Sequence, residues 1–271
     1  PPPPDFKLKA GLETLKFCLE NASKVIMIGH LGRPEGKVMP EFSVEPIRKW
    51  FENNGYNLEI LENLRFDPRE ENCDLEYAKE LAKMADVYIN EAFSSYRPAV
   101  STTVLPTLLP HAAGLHFVKE VRVLRGVREN PKKPFIAIMG GAKVKDKLPV
   151  IEVLAQKADA VLVGGKLVHE IREQQVDLPK NVMVGKLNED GFDISPDTTS
   201  AWKELISKAA MIVWNGPLGK FEDPKYNQTQ KIIELVLESS AEVVIGGGDS
   251  VAALNQYHLL RKARQKAFVS V

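Results

Sequence analysis

Short apolar, β-branched runs alternate along the chain with longer amphipathic stretches. The runs predict strands over 25–29, 86–90, 135–139, 160–163, 211–214 and 243–245. Each is nearly continuous in apolar residues rather than alternating with polar ones. Strands covered on both faces of a parallel sheet have this pattern. Between them, apolar positions recur at helical spacing over 8–19, 44–53, 75–84, 144–158, 198–208, 228–239 and 250–264. Strand followed by helix, repeated, predicts a doubly wound α/β fold. The segment 118–133 is predicted to be a helix with a Pro- and Lys-containing exit before a new buried strand. One lobe is expected before it and one after. Some joins are abrupt: NLEILENLRFDP passes between strand-like pieces with no helix, so either the protein is compact or segments are missing from the chain.

Composition narrows the class. At roughly 100–200 residues per domain, 271 residues make one large domain or two modest ones. Apolar residues at 44% and charged residues at 27% are an ordinary globular balance. With 36 basic and 36 acidic residues the formal charge is zero, so no bulk field draws nucleic acid or an acidic membrane. Phosphate binding must then come from local arrangement. Cys18 and Cys73 have no CxxC spacing and suit reduced thiols, not a disulfide framework or a metal site. No apolar run approaches the roughly 20 residues of a membrane span. Pro1–Pro4 followed by Asp5 lacks the basic and apolar regions of a signal peptide. A soluble, cytoplasmic protein is expected.

Four glycine clusters follow predicted strands: Gly140-Gly141-Ala142-Lys143, Gly164-Gly165, Asn215-Gly216-Pro217-Leu218-Gly219 and Gly246-Gly247-Gly248-Asp249-Ser250. Ligands of open α/β sheets bind beyond the carboxyl ends of the strands. Glycine there lets backbone N–H groups approach an anion, and a following helix adds its positive end. Lys143 and Lys147 fall at i and i+4 on one helix face, where they repel each other and the helix dipole unless an anion lies between them. Asp249 or Ser250 suits a helix N-cap, or equally a carboxylate for nucleotide-bound Mg²⁺ and a hydroxyl for phosphate. Glu222 is a candidate for ribose hydroxyls. Neither G-x-x-x-x-G-K-[ST] nor G-x-G-x-x-G occurs, so the P-loop and dinucleotide fingerprints are absent.

The first part of the chain is different in kind. His30-Leu31-Gly32-Arg33 ends one strand and Arg97 follows another, with Lys7 and Lys133 as further cations. The planar fork of Arg pairs with phosphate or carboxylate, which suits a small phosphorylated acid. Read alone, His30 is equally a hydrogen-bonded turn histidine.

The strings VIMIGHLGRPEG, LENLRFDPREE, YINEAF, PFIAIMGGAKVKDKL, DGFDISPDT, IVWNGPLGKFE and VVIGGGDSVAAL, in this order over most of the chain, together resemble phosphoglycerate kinases. The resemblance implies two Rossmann-like doubly wound parallel-sheet lobes joined by a hinge helix, 1–127 binding phosphoglycerate and 128–271 binding nucleotide. It implies reversible phosphoryl transfer between 1,3-bisphosphoglycerate with MgADP and 3-phosphoglycerate with MgATP. His30, Leu31, Gly32, Arg33 and Arg97 would bind the phosphoglycerate. Lys7 and Lys133 stand where the family pattern has Arg for the same substrate. Lys147 would stabilise the phosphoryl group in flight, with Lys7, His30, Arg33 and Arg97 also in the catalytic set. Gly141, Ala142 and Lys143 would hold nucleotide phosphate, Gly164 and Gly165 the adenine side, and Asn215, Pro217 and Glu222 the nucleoside. Gly247, Gly248, Asp249 and Ser250 would meet phosphates, with Asp249 reaching Mg²⁺ through the nucleotide. Small molecules would be the only partners, and a monomer is the family expectation. Because Lys lacks the fork of Arg, a second reading is a kinase-derived protein that binds these ligands but transfers poorly.

Overall fold

A computed structural model describes residues 5–94, 96–141 and 144–270. The chain divides into two units, Asp5–Val121 and Arg122–Val271, the division falling inside one helix.

The first unit begins with two helices, α1 (Phe6–Ala10) and α2 (Leu12–Asn21). The single helix expected over 8–19 is thus two, parted at Gly11, a residue of low helix propensity. Then come β1 (Ile26–Met27), α3 (Glu45–Asn53), β2 (Glu59–Ile60), α4 (Pro68–Glu71), α5 (Leu75–Ala82), β3 (Tyr88–Asn90), β4 (His111–Ala113) and α6 (Leu115–Glu129), the helix that holds the division. Within this unit, parallel pairing among the described residues is confined to β1 with β2 and β3 with β4. Apolar packing supplies the rest. Leu15, Val44, Phe51 and Ile60 form one buried cluster, and Leu64, Ala78, Leu81, Val100 and Leu105 another. The start of α6 is fixed by a carboxylate distant in sequence. Glu91 accepts the N–H groups of His116 and Phe117 at 3.0 and 3.1 Å and the Thr14 hydroxyl at 2.6 Å. A negative charge at a helix N-terminus satisfies donors that have no intrahelical partner.

The second unit is built on one parallel sheet. Its strands are β5 (Phe135–Met139), β6 (Ala160–Val163), β7 (Val182–Val184), β8 (Met211–Asn215), β9 (Glu242–Gly246) and β10 (Ala267–Val269). Residues of β5 and β6 are buried throughout, as their unbroken apolar sequence predicts. The helices between them are α7 (Val144–Ala155), α8 (Leu167–Glu173), α9 (Pro196–Lys208), α10 (Gln228–Glu238), α11 (Gly248–Gln256) and α12 (Leu260–Lys266). The predicted helix over 250–264 is therefore two, broken where His258 takes a left-handed φ of 57°. The order across the sheet is β10-β9-β8-β5-β6-β7. From β5 the chain moves outward to β7, then returns to pair β8 with the other side of β5. The connections leave β5 and β8 in opposite directions, which opens a crevice at their carboxyl ends.

Candidate active site

Three neighbouring strands, β5, β8 and β9, deliver the polar groups of this crevice. Lys147, in the first turns of α7 after β5, places Nζ 2.5 Å from Oδ1 of Asn215, the last residue of β8. Asp249, in the first turn of α11 after β9, is exposed and acts electrostatically on the same ammonium. Partial burial pushes the Lys147 ammonium below its ordinary range, opposed by Asp249 and Asp146. The cation is held between a neutral amide oxygen and a carboxylate at the mouth of the sheet.

The glycines join the loops at the mouth of the sheet. The Gly140 N–H donates to the Asn215 carbonyl at 2.9 Å and the Gly141 N–H to the Pro217 carbonyl at 3.2 Å. A Cβ on Gly140 would fall 2.1 Å from the Pro217 oxygen, and one on Gly216 would fall 2.4 Å from the Gly140 oxygen. These glycines let the loops after β5 and β8 close on each other, and their N–H groups are used within the protein. Gly164 donates to Met139 at 3.0 Å, and a Cβ on Gly165 would strike the Pro217 oxygen. Ser250 is 3% exposed, and its Oγ accepts the Gly216 N–H at 2.7 Å, which ties the β8 and β9 loops together. What remains open is the start of α11, where Gly247 and Gly248 are exposed and no side chain caps the helix. Unpaired N–H groups and the helix dipole favour an anion there. Glu222 is exposed on the loop after β8. It raises the Tyr257 hydroxyl, which burial first and Asp193 next also push up, to about 12. Ala142 and Lys143 lie outside the described residues.

The first unit gathers its cations around His30. A cavity of about 110 Å³ is lined by His30, Arg65, Glu70, Glu71, Arg97 and the segment after it. Burial holds the His30 ring below its ordinary value, with Arg65, Lys7 and Arg97 adding to the effect and Glu71 opposing it. Arg65 was not among the expected site residues. It donates to the Gly32 carbonyl at 2.8 Å and pairs with Glu71 at 3.2 Å, its side chain 12% exposed. Its one sequence signal is its place in LENLRFDPREE, directly after a strand-like run as His30 is. Arg33 and Leu31 are exposed and do not line the cavity, and Gly32 turns the loop at a φ of 65°. Lys133 goes elsewhere. It sits at the start of β5, the end of the sheet away from the glycine loops. There it pairs with Asp159 at 3.2 Å and donates to the Lys157 carbonyl.

A family model described as phosphoglycerate kinase matches residues 51–180 and 168–271. The phosphoglycerate kinases of Thermomicrobium roseum and Herpetosiphon aurantiacus are each 33% identical, over 95% of this chain and 84% of their own length. The solved phosphoglycerate kinase of Coxiella burnetii superposes with a TM-score of 0.81 at 27% identity, over 97% of this chain and 85% of that one. That of Pyrococcus horikoshii gives 0.78 at 25% identity, over 92% and 82%.

The chain belongs to the phosphoglycerate kinase family.

The alignment with the Thermomicrobium kinase is 331 positions long, more than the 271 residues of this chain. The relatives therefore carry internal segments without a counterpart here, which accounts for the abrupt joins of the sequence. Phosphoryl transfer from a nucleotide commonly uses a divalent cation bound with the phosphates. Among the described residues no three His, Cys, Asp or Glu side chains cluster as a metal cage. Mg²⁺ that arrives with nucleotide phosphates needs only one or two carboxylates from the protein. Asp249, exposed in the first turn of α11, fits that requirement. No helix among the described residues is long and apolar enough to cross a membrane.

Proposed function

We propose that the chain transfers a phosphoryl group reversibly between 1,3-bisphosphoglycerate with MgADP and 3-phosphoglycerate with MgATP. The observation that carries this reading is the placing of Lys147, Asn215 and Asp249 at the reversal point of a parallel sheet. Phosphoryl transfer asks the protein for positioning and charge neutralisation, with little covalent chemistry. Lys147 suits that task. Its ammonium is partly desolvated, so it acts on a developing charge more strongly than a solvated lysine would. Asn215 orients it before substrate arrives. The start of α11 receives nucleotide phosphate, Asp249 holds Mg²⁺, and Pro217 and Glu222 meet the nucleoside. Mg²⁺, held there by Asp249, would supply neutralisation of phosphate charge.

In this reading residues 1–127 bind phosphoglycerate and 128–271 bind nucleotide. His30, Arg65 and Arg97 offer the acid donors in a cavity whose wall also carries Glu70 and Glu71, and Lys7 acts electrostatically on His30. The protein acts on small molecules alone, as a cytoplasmic monomer.

A coupled assay with ATP, 3-phosphoglycerate and Mg²⁺ tests the proposal. Turnover that requires all three is expected. Binding of MgADP without turnover would instead favour a binding protein derived from a kinase.

A further inference from the structure

Asp193 is a buried acid outside the crevice. It is 2% exposed, on a hairpin closed by the bridge between Leu187 and Ile194. Its Oδ1 accepts the Ile194 N–H at 2.9 Å, and its Oδ2 accepts the N–H of Gln228, first residue of α10, at 3.0 Å. The same hairpin grips the segment between β8 and α10 at two more points. The Phe192 carbonyl accepts the Lys220 N–H at 2.8 Å. The Asp190 carboxylate meets the Lys225 ammonium at 2.6 Å and the Tyr226 hydroxyl at 2.8 Å. That segment is the one that carries Pro217 and Glu222. It approaches so closely that a Cβ on Gly219 would lie 2.0 Å from Asp193 Oδ1.

Burial pushes the Asp193 carboxyl up to about 6, against the pull of the two N–H donors and of Lys231 on α10, with Asp190 adding repulsion. Asp193 and Glu222 both act electrostatically on the Tyr257 hydroxyl, beyond α11. An apolar pair would join two segments with no such desolvation penalty. A buried carboxylate with two directed bonds gives instead a fixed geometry.

We propose that Asp193 is a positioning residue for nucleotide binding, clasping the 216–227 loop so that Pro217 and Glu222 are held ready for the nucleoside. The inference rests on the nucleotide reading proposed above. Loosening the clasp weakens binding of the adenine nucleotide and leaves the phosphoglycerate side untouched.

The test is calorimetric titration of the full chain with MgADP, together with steady-state kinetics. Asp193→Ala is expected to raise the MgADP Kd and the nucleotide KM about tenfold, the scale of one hydrogen bond to a charged group. The KM for 3-phosphoglycerate and kcat should stay within about twofold. Asp193→Asn keeps one acceptor for Gln228 and should restore part of the affinity. Gly219→Ala drives the loop off the carboxylate and should give the same selective loss. In the Asp193→Ala background its effect should shrink, because the group it strikes is gone. Additive effects of the two substitutions overturn the proposal. So does a loss of folded protein with normal MgADP affinity in the folded fraction. If Asp193→Ala does not fold, Asp193→Asn and Gly219→Ala decide the matter alone. Failure of the unaltered chain to bind MgADP overturns the nucleotide reading and this inference with it. Normal binding that neither substitution weakens overturns the inference only.

Discussion

Lys147 Nζ lies 2.5 Å from Asn215 Oδ1, across the point where β5 and β8 run side by side while their connections leave in opposite directions. The two residues are 68 positions apart in sequence, and the sheet alone brings them together. The contact keeps a cation at the crevice mouth with no carboxylate bonded to it among the described residues. An ammonium that, among the described residues, is hydrogen-bonded to an amide oxygen is easily drawn to an arriving phosphate.

Lys147→Ala should therefore lower turnover by about a thousandfold or more, the scale seen when a charge-stabilising group is removed from phosphoryl transfer. The fold should survive, because Lys147 is only half-buried and belongs to no apolar cluster. Assay with ATP and 3-phosphoglycerate, alongside thermal unfolding, separates the two effects. Near-normal turnover would remove Lys147 from the mechanism.

Arg65 and Lys133 should respond in opposite ways. Arg65→Ala removes a guanidinium from the His30 cavity and should raise the KM for 3-phosphoglycerate at least about tenfold. Lys133→Ala breaks a largely exposed pair with Asp159 and should leave that KM unchanged, with a stability loss of under about 1 kcal/mol. The reverse outcome would show that the sequence pattern, which singled out Lys133, is the better guide.

The His30 ring gives a pH test. Burial and the cations Arg65, Lys7 and Arg97 favour its neutral form, so in the free protein it should titrate below its ordinary value of 6.5. A histidine lowered in this way contributes stability that is present above the unfolded pKa and is lost as pH falls through the folded one. An anionic phosphoglycerate beside it offsets those cations and should move the titration upward. Histidine resonances followed against pH, with and without 3-phosphoglycerate, report this directly. A ring that does not move on saturation lies outside the phosphoglycerate site.

The strands of the second unit were legible in the sequence because their apolar runs are unbroken, and burial on both faces leaves no other pattern. The strands at Val182–Val184 and Ala267–Val269 were not predicted, being three residues each at the margins of the sheet. Lys147 was legible because a lysine at the positive end of a helix opposes the local electrostatics. Arg65 was not, because an arginine after a short strand carries no such conflict. Its value comes from His30 and Arg97, which are distant in sequence.

By itself, then, the sequence determined the alternation of the main strands and helices, the glycine turns at the carboxyl ends, and a phosphate-directed chemistry. Tertiary structure decided that β8 pairs with β5, that Asn215 meets Lys147, and that Lys133 turns to Asp159. It also decided that glycine N–H groups bond neighbouring loops and that the Ser250 hydroxyl bonds Gly216. The reason is physical. Periodicity and turn chemistry are local, set by burial and backbone sterics within a few residues. The partner of a strand, or of a polar side chain, is chosen by contacts between segments far apart in the chain, and is known only once the sheet has formed.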